Sequence, residues 1–291
     1  MTKISIIIPA CQEERSISGV VENVRLVMEQ AEKNFEIIVV NDGSSDNTAE
    51  EARKAGARVI SHPYNIGNGA AIKTGIRKAD GDILVMMDGD GQHDPRDIPS
   101  LLEQMDTYDM AVGARTRQSR TALHRDLANK FYNALATYIC KRRIQDLTSG
   151  FRAVKAGIAR RFVSMLPNTF SYPTTLTMAV IRGGYSLTYV PIKTARRAGT
   201  SKIKLFRDGS RFFLIIIKIA TLFSPMRIFL PVSALMFCTG LGWGLFKIIV
   251  MDARYGPTSA MLMTMAVVVF MVGLVSEQIA QLMYDRNETR E

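Results

Sequence analysis

Read from its amino end, the chain alternates short apolar runs rich in β-branched residues with longer stretches where apolar residues recur every three or four positions. "ISIIIP" reads as a buried strand, "SGVVENVRLVMEQAEK" as an amphipathic helix, "FEIIVV" as a strand and "DNTAEEARKAG" as a helix. The alternation goes on with "ARVISH" as a strand, "GAAIKTGIRKA" as a helix and "DILVMMD" as a strand. "DMAVGARTR" predicts a fifth strand and "RDLANKFYNALATYICKRR" a helix. "DLTSGFRAVKAGIARRFVSM" predicts a loop opening another helix, and "YSLTYVPIKT" a late strand. Strand and helix in turn imply an α/β fold whose largely parallel sheet carries helices on both faces. Ligands of such sheets collect at the carboxyl ends of the strands.

The pattern changes after about residue 205. "LFRDGSRFFLIIIKIATLF" sets Arg207, Arg211 and Lys218 at helical spacing among apolar residues, as in a helix lying in a membrane interface. From Ile228 to Phe246 no residue is charged, and a second uncharged run goes from Tyr255 to Ser276. Each approaches the roughly 20 residues a helix needs to cross about 30 Å of hydrocarbon. The short connector "MDARYGP" makes them a hairpin. The expected organisation is a cytoplasmic α/β domain over 1–205, an amphipathic interfacial helix over 206–224 and a transmembrane hairpin over 225–285, with spans at about 227–250 and 257–278.

Charge adds an orientation. Arg196, Arg197, Lys202, Lys204, Arg207, Arg211, Lys218 and Arg227 precede the first span, Arg286 and Arg290 follow the second, and the connector offers Arg254. Cations accumulate on the cytoplasmic side, so both termini are expected there, in the inner membrane of a cell. The opening residues lead straight into an apolar strand without a cleavage-type region, so no signal peptide is expected. The net charge of +10 is massed beside the first span, which favours an anionic lipid surface over nucleic acid. Cys11, Cys140 and Cys238 form no C-x-x-C pair, and His62, His93 and His124 have no metal spacing, so zinc is not expected.

Candidate chemistry gathers at the strand ends. The first strand runs into "PACQEE", the second into "NDGSSDNT" and the fourth into "DGDGQHDP", so Glu13, Asp42, Asp88 and Asp90 should converge on one crevice. Asp46 suits a helix N-cap, while Asp42, nearer the strand end, suits a ligand. Along an extended backbone Asp88, Asp90 and Gln92 point to one side, giving a partial oxygen shell for a hard divalent cation such as Mg²⁺ or Mn²⁺. Gly89 and Gly91 let the chain turn and let a ligand approach. A diphosphate would complete such a shell, in sugar transfer or in phosphoryl transfer alike.

"IIIPACQEE", "IIVVNDGSSDNT", "NIGNGAAIKTGIRKADGD", "DGDGQHDP", "GAR", "DLTSGFRA" and "RRAGTSK" occur in this order over roughly the first 205 residues. In this the chain resembles family-two glycosyltransferases, in the branch of dolichol-phosphate mannose synthase and the bacterial polyprenyl-phosphate glycosyltransferases. The resemblance implies a GT-A fold and transfer of a hexose from a nucleotide sugar, of GDP-mannose or UDP-glucose type, to a polyprenyl phosphate at the cytoplasmic face, with inversion. It implies that Pro9, Cys11, Glu13, Val40 and Asp42 hold the base and ribose, and that Asp88, Gly89, Asp90 and Gln92 hold diphosphate and metal. Arg115, Arg196 and Lys202 would serve the phosphates, with Arg115, Arg120 and Arg125 toward the lipid phosphate. Cys11 stands where the family commonly has a tyrosine. Two rival readings stay open, a processive polysaccharide synthase and a non-catalytic membrane scaffold; a homo-oligomer is compatible with all three. The sequence leaves the sugar and the nucleotide open.

Overall fold

A computed structural model describes residues 2–115, 123–169, 172–193, 221, 224–251 and 254–288, without the side chains of 123–131 and 283–288. The chain forms two compact units, Met1–Lys202 and Ile203–Glu291.

The first unit is built on a sheet with seven strands among the described residues: β1 Lys3–Ala10, β2 Asn34–Asn41, β3 Arg58–Ser61, β4 Ile83–Met86, β5 Met110–Arg115, β6 Arg152–Lys155 and β7 Leu187–Ile192. Their order is β3-β2-β1-β4-β6-β5-β7. β1 is a central strand paired in parallel with β2 and β4, so its isoleucines are buried on both faces. Helices α1 Ile17–Gln30, α2 Thr48–Lys54 and α3 Asn68–Lys78 follow the first three strands. α1 buries Ile17, Val20, Val21, Val24 and Met28, an apolar stripe at helical period, in the core formed with β1 and β2. α4 Ile98–Glu103, α5 Leu123–Cys140, α6 Ala156–Phe162 and α7 Tyr172–Arg182 complete the unit among the described residues. Pro191 sits in β7, an edge strand, where a missing amide donor costs little.

The expected α/β fold is therefore present, with one correction. The stretch read as a loop opening a helix holds β6, which runs antiparallel between β4 and β5. Met86 and Val112 both register with Arg152, so β6 begins at the edge where β4 and β5 end. The carboxyl ends of β1 and β2 register at Ala10 and Asn41 on that edge too. Loops leaving four strands and the loop entering β6 thus meet there.

The second unit holds α8 Met226–Val250 and α9 Pro257–Glu288. Both are long and apolar enough to cross a membrane, and 17% of each apolar window is buried. They pack at small residues: a Cβ on Gly240 would lie 3.0 Å from Leu262 Cβ, and one on Gly273 would lie 2.6 Å from Phe229 Cβ. Glu277 of α9 accepts a hydrogen bond from the Met226 amide at 3.2 Å, satisfying a donor that the first turn of α8 leaves without an intrahelical partner. The interfacial helix expected over 206–224 lies almost entirely outside the described residues.

The first turn of α3 is crossed at close range by residues 167–169. A Cβ on Gly69 would lie 2.1 Å from the Pro167 carbonyl oxygen, and Gly67 has φ +125°. The Ala70 amide donates to Asn168 O at 2.7 Å, and Lys73 Nζ donates to Asn168 Oδ1 at 2.7 Å. Gly69→Ala should lower stability by about 2 kcal/mol through this overlap. The thermal midpoint of the purified full chain measures it, and an unchanged midpoint would mean that the crossing is looser than described.

Candidate active site

Two loops that leave the sheet side by side are laced together. Gln12 donates from its amide to Ser44 Oγ at 3.1 Å and from Nε2 to Ser45 Oγ at 2.8 Å. The Glu13 amide donates to Thr48 Oγ1 at 2.9 Å. Asp46 accepts from the Thr48 amide at 3.1 Å, but the N-cap of α2 is Asn47, so Asp46 holds the start of the helix from one position before the expected cap. Ser16 Oγ lies 2.8 Å from Glu13 Oε2 and 3.0 Å from Gly89 O, which ties the Glu13 side chain to the third loop.

These loops enclose a cavity of about 330 Å³. Pro9, Cys11, Glu13, Asp42, Asp88, Gly89 and Asp90 line it, as expected at the strand ends. Val40, fully buried within β2, and Gln92 and Arg115 are not among its lining residues. Asn65 and Asn68, which sequence reasoning missed, line it as well. Asn65 Nδ2 approaches Cys11 Sγ at 3.1 Å. The same two asparagines and Asp88 also line a second lobe of about 420 Å³, walled further by Thr148, Gly150, Thr169, Tyr172, Pro173 and Thr174.

Asp42 does more than face the cavity. Its Oδ1 accepts from the Ile66 amide at 3.0 Å and its Oδ2 from the Gly67 amide at 2.8 Å. His62 Nδ1 lies 2.7 Å from Oδ1, and His62 Nε2 lies 2.8 Å from Thr74 Oγ1. The carboxylate, 2% exposed, thereby pins the segment that carries Asn65 into α3. Those partners stand 20 to 25 positions downstream, beyond what local pattern reveals.

Asp88 lies beyond the end of β4 and Asp90 in the turn that follows, so strand alternation is not what aligns them. Gly91 has φ +71°, and Asp90 Oδ1 accepts from the Gln92 amide at 3.1 Å, bending the chain back on itself. His93 anchors this turn from below, stacked on Phe151 with centroids 5.1 Å apart and with Nδ1 3.5 Å from the Asp88 amide. Burial pushes its pKa down and favours the neutral ring. Gly150 presses on the Asp88 carboxylate, since a Cβ there would lie 2.9 Å from Oδ2.

Arg115 ends β5 and forms a two-pronged pair with Asp146, Nε to Oδ2 and Nη2 to Oδ1 both at 2.8 Å. Its Nη2 also donates to Thr148 Oγ1 at 2.6 Å, on the wall of the second lobe. Asp146 was not anticipated; its signal was an acid just before the "TSG" that opens β6. Burial alone would raise its pKa, but hydrogen bonds and charge from Arg115 outweigh that and hold it below the usual carboxylate value. Arg120, Arg196 and Lys202 lie outside the described residues, as does the side chain of Arg125.

A model described as Glycosyl transferase family 2 matches residues 5–163, and one described as GtrB C-terminal hairpin matches residues 224–282. The undecaprenyl-phosphate 4-deoxy-4-formamido-L-arabinose transferase of Proteus mirabilis is 31% identical over 189 residues, covering 60% of this chain and 58% of that protein. This chain therefore spans a little over half the length of that relative. The dodecaprenyl-phosphate galacturonate synthase of Rhizobium johnstonii is 26% identical over 257 residues, covering 86% of this chain and 75% of that one. Among solved structures, glucosyl-3-phosphoglycerate synthase from Mycobacterium tuberculosis in complex with Mn²⁺ and uridine-diphosphate-glucose superimposes with a TM-score of 0.61. It is 21% identical and covers 75% of this chain and 79% of that one, a likeness of fold.

The Arg115–Asp146 pair should be visible in the stability of the protein. A depressed carboxylate pKa stabilises the fold above the unfolded value and loses that stabilisation as pH falls below about 4. Asp146→Asn should cost about 2 kcal/mol at neutral pH, the low side for a broken buried pair because Arg115 is partly exposed. Thermal unfolding from pH 7 to pH 3 should then show a shallower acid loss in the variant; identical pH profiles would contradict the pairing.

Proposed function

The chain belongs to glycosyl transferase family 2, and on that premise we propose that it moves a hexose from a nucleotide sugar to a polyprenyl phosphate, with inversion at the anomeric carbon. The observation that carries this reading is the charge of the first lobe. Glu13, Asp42, Asp88 and Asp90 all line it, and no cation does among the described residues. A diphosphate entering a cavity of that sign is repelled unless a divalent cation comes with it. Asp88 and Asp90 have the hard oxygen donors such a cation takes, and among the described residues no group of three acidic, histidine or cysteine side chains forms a closed cage. The partial shell fits Mg²⁺ or Mn²⁺ bound together with substrate phosphates, and the ion would neutralise charge developing on the departing diphosphate.

In this reading the first lobe takes the nucleoside, against Pro9, Cys11 and Glu13, while Asp42 holds the floor through the Ile66 and Gly67 amides. The second lobe takes the sugar among asparagine, threonine and tyrosine side chains, which offer neutral hydrogen bonds to hydroxyls. Asp88 borders both, where the bond between sugar and diphosphate would lie. A phosphate oxygen of the lipid attacks the anomeric carbon, the bond to the diphosphate breaks, and its electron pair leaves with the nucleoside diphosphate. The acceptor phosphate has a second pKa of about 6, so near neutral pH it is already mostly dianionic and needs no general base. Arg115 would approach phosphate from beside Thr148, with Arg120, Arg125, Arg196 and Lys202 as further cations.

The hairpin match and the two apolar helices suggest a membrane protein. The flanking cations support a hairpin inserted from the cytoplasmic side, with the catalytic unit facing the nucleotide-sugar pool. No observation favours the scaffold or polysaccharide-synthase readings over this one.

Purified protein given undecaprenyl phosphate with UDP-glucose or GDP-mannose should release nucleoside diphosphate only when the lipid is present. Chelation should abolish the release, Mg²⁺ or Mn²⁺ should restore it, and Asp90→Asn should lower kcat/KM at least about 100-fold. Full turnover in chelator would refute the metal assignment. For topology, a cysteine replacing Tyr255 should react with an impermeant maleimide added outside intact cells, and one replacing Lys33 should not. The opposite labelling would reverse the orientation.

A further inference from the structure

Arg152 is a strong base at the centre of a sheet. It lies between Met86 of β4 and Val112 of β5, is 0% exposed, and is the largest fully buried side chain among the described residues. Burying an unpaired guanidinium costs several kcal/mol on the order-of-magnitude scale for buried ions. Yet among the described residues its hydrogen-bond partners are two carbonyls and a hydroxyl, with no carboxylate. Nη1 donates to Pro173 O at 2.9 Å and to Thr177 Oγ1 at 3.1 Å, and Nη2 donates to Ser149 O. Nε has no partner among the described residues. The guanidinium carbon stands 6.0 Å from the centroid of the Tyr172 ring.

These partners belong to two segments that are otherwise distant in sequence. Ser149 precedes Gly150 in the loop entering β6, and Pro173 and Thr177 lie on the first two turns of α7. Tyr172 adds a hydrogen bond from its hydroxyl to Gly150 O at 3.3 Å. The joined segments supply Thr148, Gly150, Tyr172, Pro173 and Thr174, half of the ten residues lining the second lobe. Gly150 also abuts the Asp88 carboxylate. The walls of the first lobe come instead from the β1 and β2 ends, the stretch after β4 and residues 65 and 68 at the start of α3.

We propose that Arg152 is a positioning residue for the sugar end of the donor. Its planar fork fixes the start of α7 against the loop entering β6, and this sets the shape of the second lobe, while the nucleoside lobe stands independently of it. A purely structural arginine would instead affect both lobes alike through the folded fraction. Two features separate these roles. The fork reaches three acceptors in two segments, which a lysine ammonium on a thinner stem does not reproduce. The segments it joins carry five sugar-lobe residues and no nucleoside-lobe residue, and Asp88, which lines both lobes, abuts only Gly150 of the loop.

The inference rests on the lobe assignment made above, and the experiment separates the two. Full-length Arg152→Lys, Arg152→Met and Thr177→Val are purified beside wild type. Calorimetry gives Kd for UDP and GDP, steady-state transfer from UDP-glucose and GDP-mannose to undecaprenyl phosphate gives kcat and KM, and thermal unfolding gives the folded fraction. Arg152→Lys should bind the nucleoside diphosphate within about twofold of wild type and lose at least about tenfold in kcat/KM for the sugar donor, a difference of about 1.4 kcal/mol. Thr177→Val, which removes one acceptor and keeps the charge, should show the same split with a smaller loss. If either variant weakened nucleoside diphosphate and sugar donor equally, or if Arg152→Lys turned over like wild type, the positioning role would be refuted. Should Arg152 variants fail to fold, the Thr177→Val split decides. A wild type that binds neither UDP nor GDP and transfers neither sugar would refute the functional reading itself.

Discussion

The crevice depends on one strand running against its neighbours. In a wholly parallel sheet, the ligand-binding edge receives only the loops that leave strands, each followed by a helix that carries the chain away. β6 enters from that edge, so the residues preceding it are delivered into the crevice with a strand's rigidity behind them. Asp146 and Thr148 reach Arg115 at the end of β5, and Gly150 meets Asp88 beyond the end of β4. The loop entering β6 thereby links contributions of the two strands beside it that no local contact would bring together.

That arrangement governs where charge resides. Two described cations behind the crevice wall have protein partners: Arg115 with Asp146 and Thr148, and Arg152 with the carbonyls and hydroxyl that surround it. The amino end of α3, often a place for an anion, already gives its Gly69 and Ala70 amides to the Thr169 and Asn168 carbonyls. What faces the first lobe is acidic. Among the described residues the crevice thus presents negative charge and neutral hydrogen-bonding groups, and an unaccompanied anion would meet repulsion there.

Much of the fold was legible because its strong signals are local. β1 and β2 are runs of β-branched residues, and α1 repeats its apolar positions at helical spacing. β6 escaped because four residues with an arginine at the first of them have no strand pattern, and their pairing is to partners about 40 and 70 positions away. α7 escaped for the opposite reason: Tyr172 to Val180 are all buried, so no polar face marks the helix. At the site, residues at strand ends were identifiable from the α/β pattern alone. What they do to one another was not, since Asp42 is tied to the 62–67 segment, and Asp88 and Asp90 are placed by a turn whose support comes from His93 and Phe151.

Glu277 gives the hairpin a dependence on the order of synthesis. The amide of Met226 emerges from the ribosome 51 residues before the carboxylate that accepts its hydrogen bond. While α9 is still being made, the leading turn of α8 has to satisfy that donor with solvent or another transient partner. Completion of the second helix closes the contact and locks the two helices in register at the start of α8. The hairpin is therefore finished at its beginning, by a residue 51 positions further along the chain.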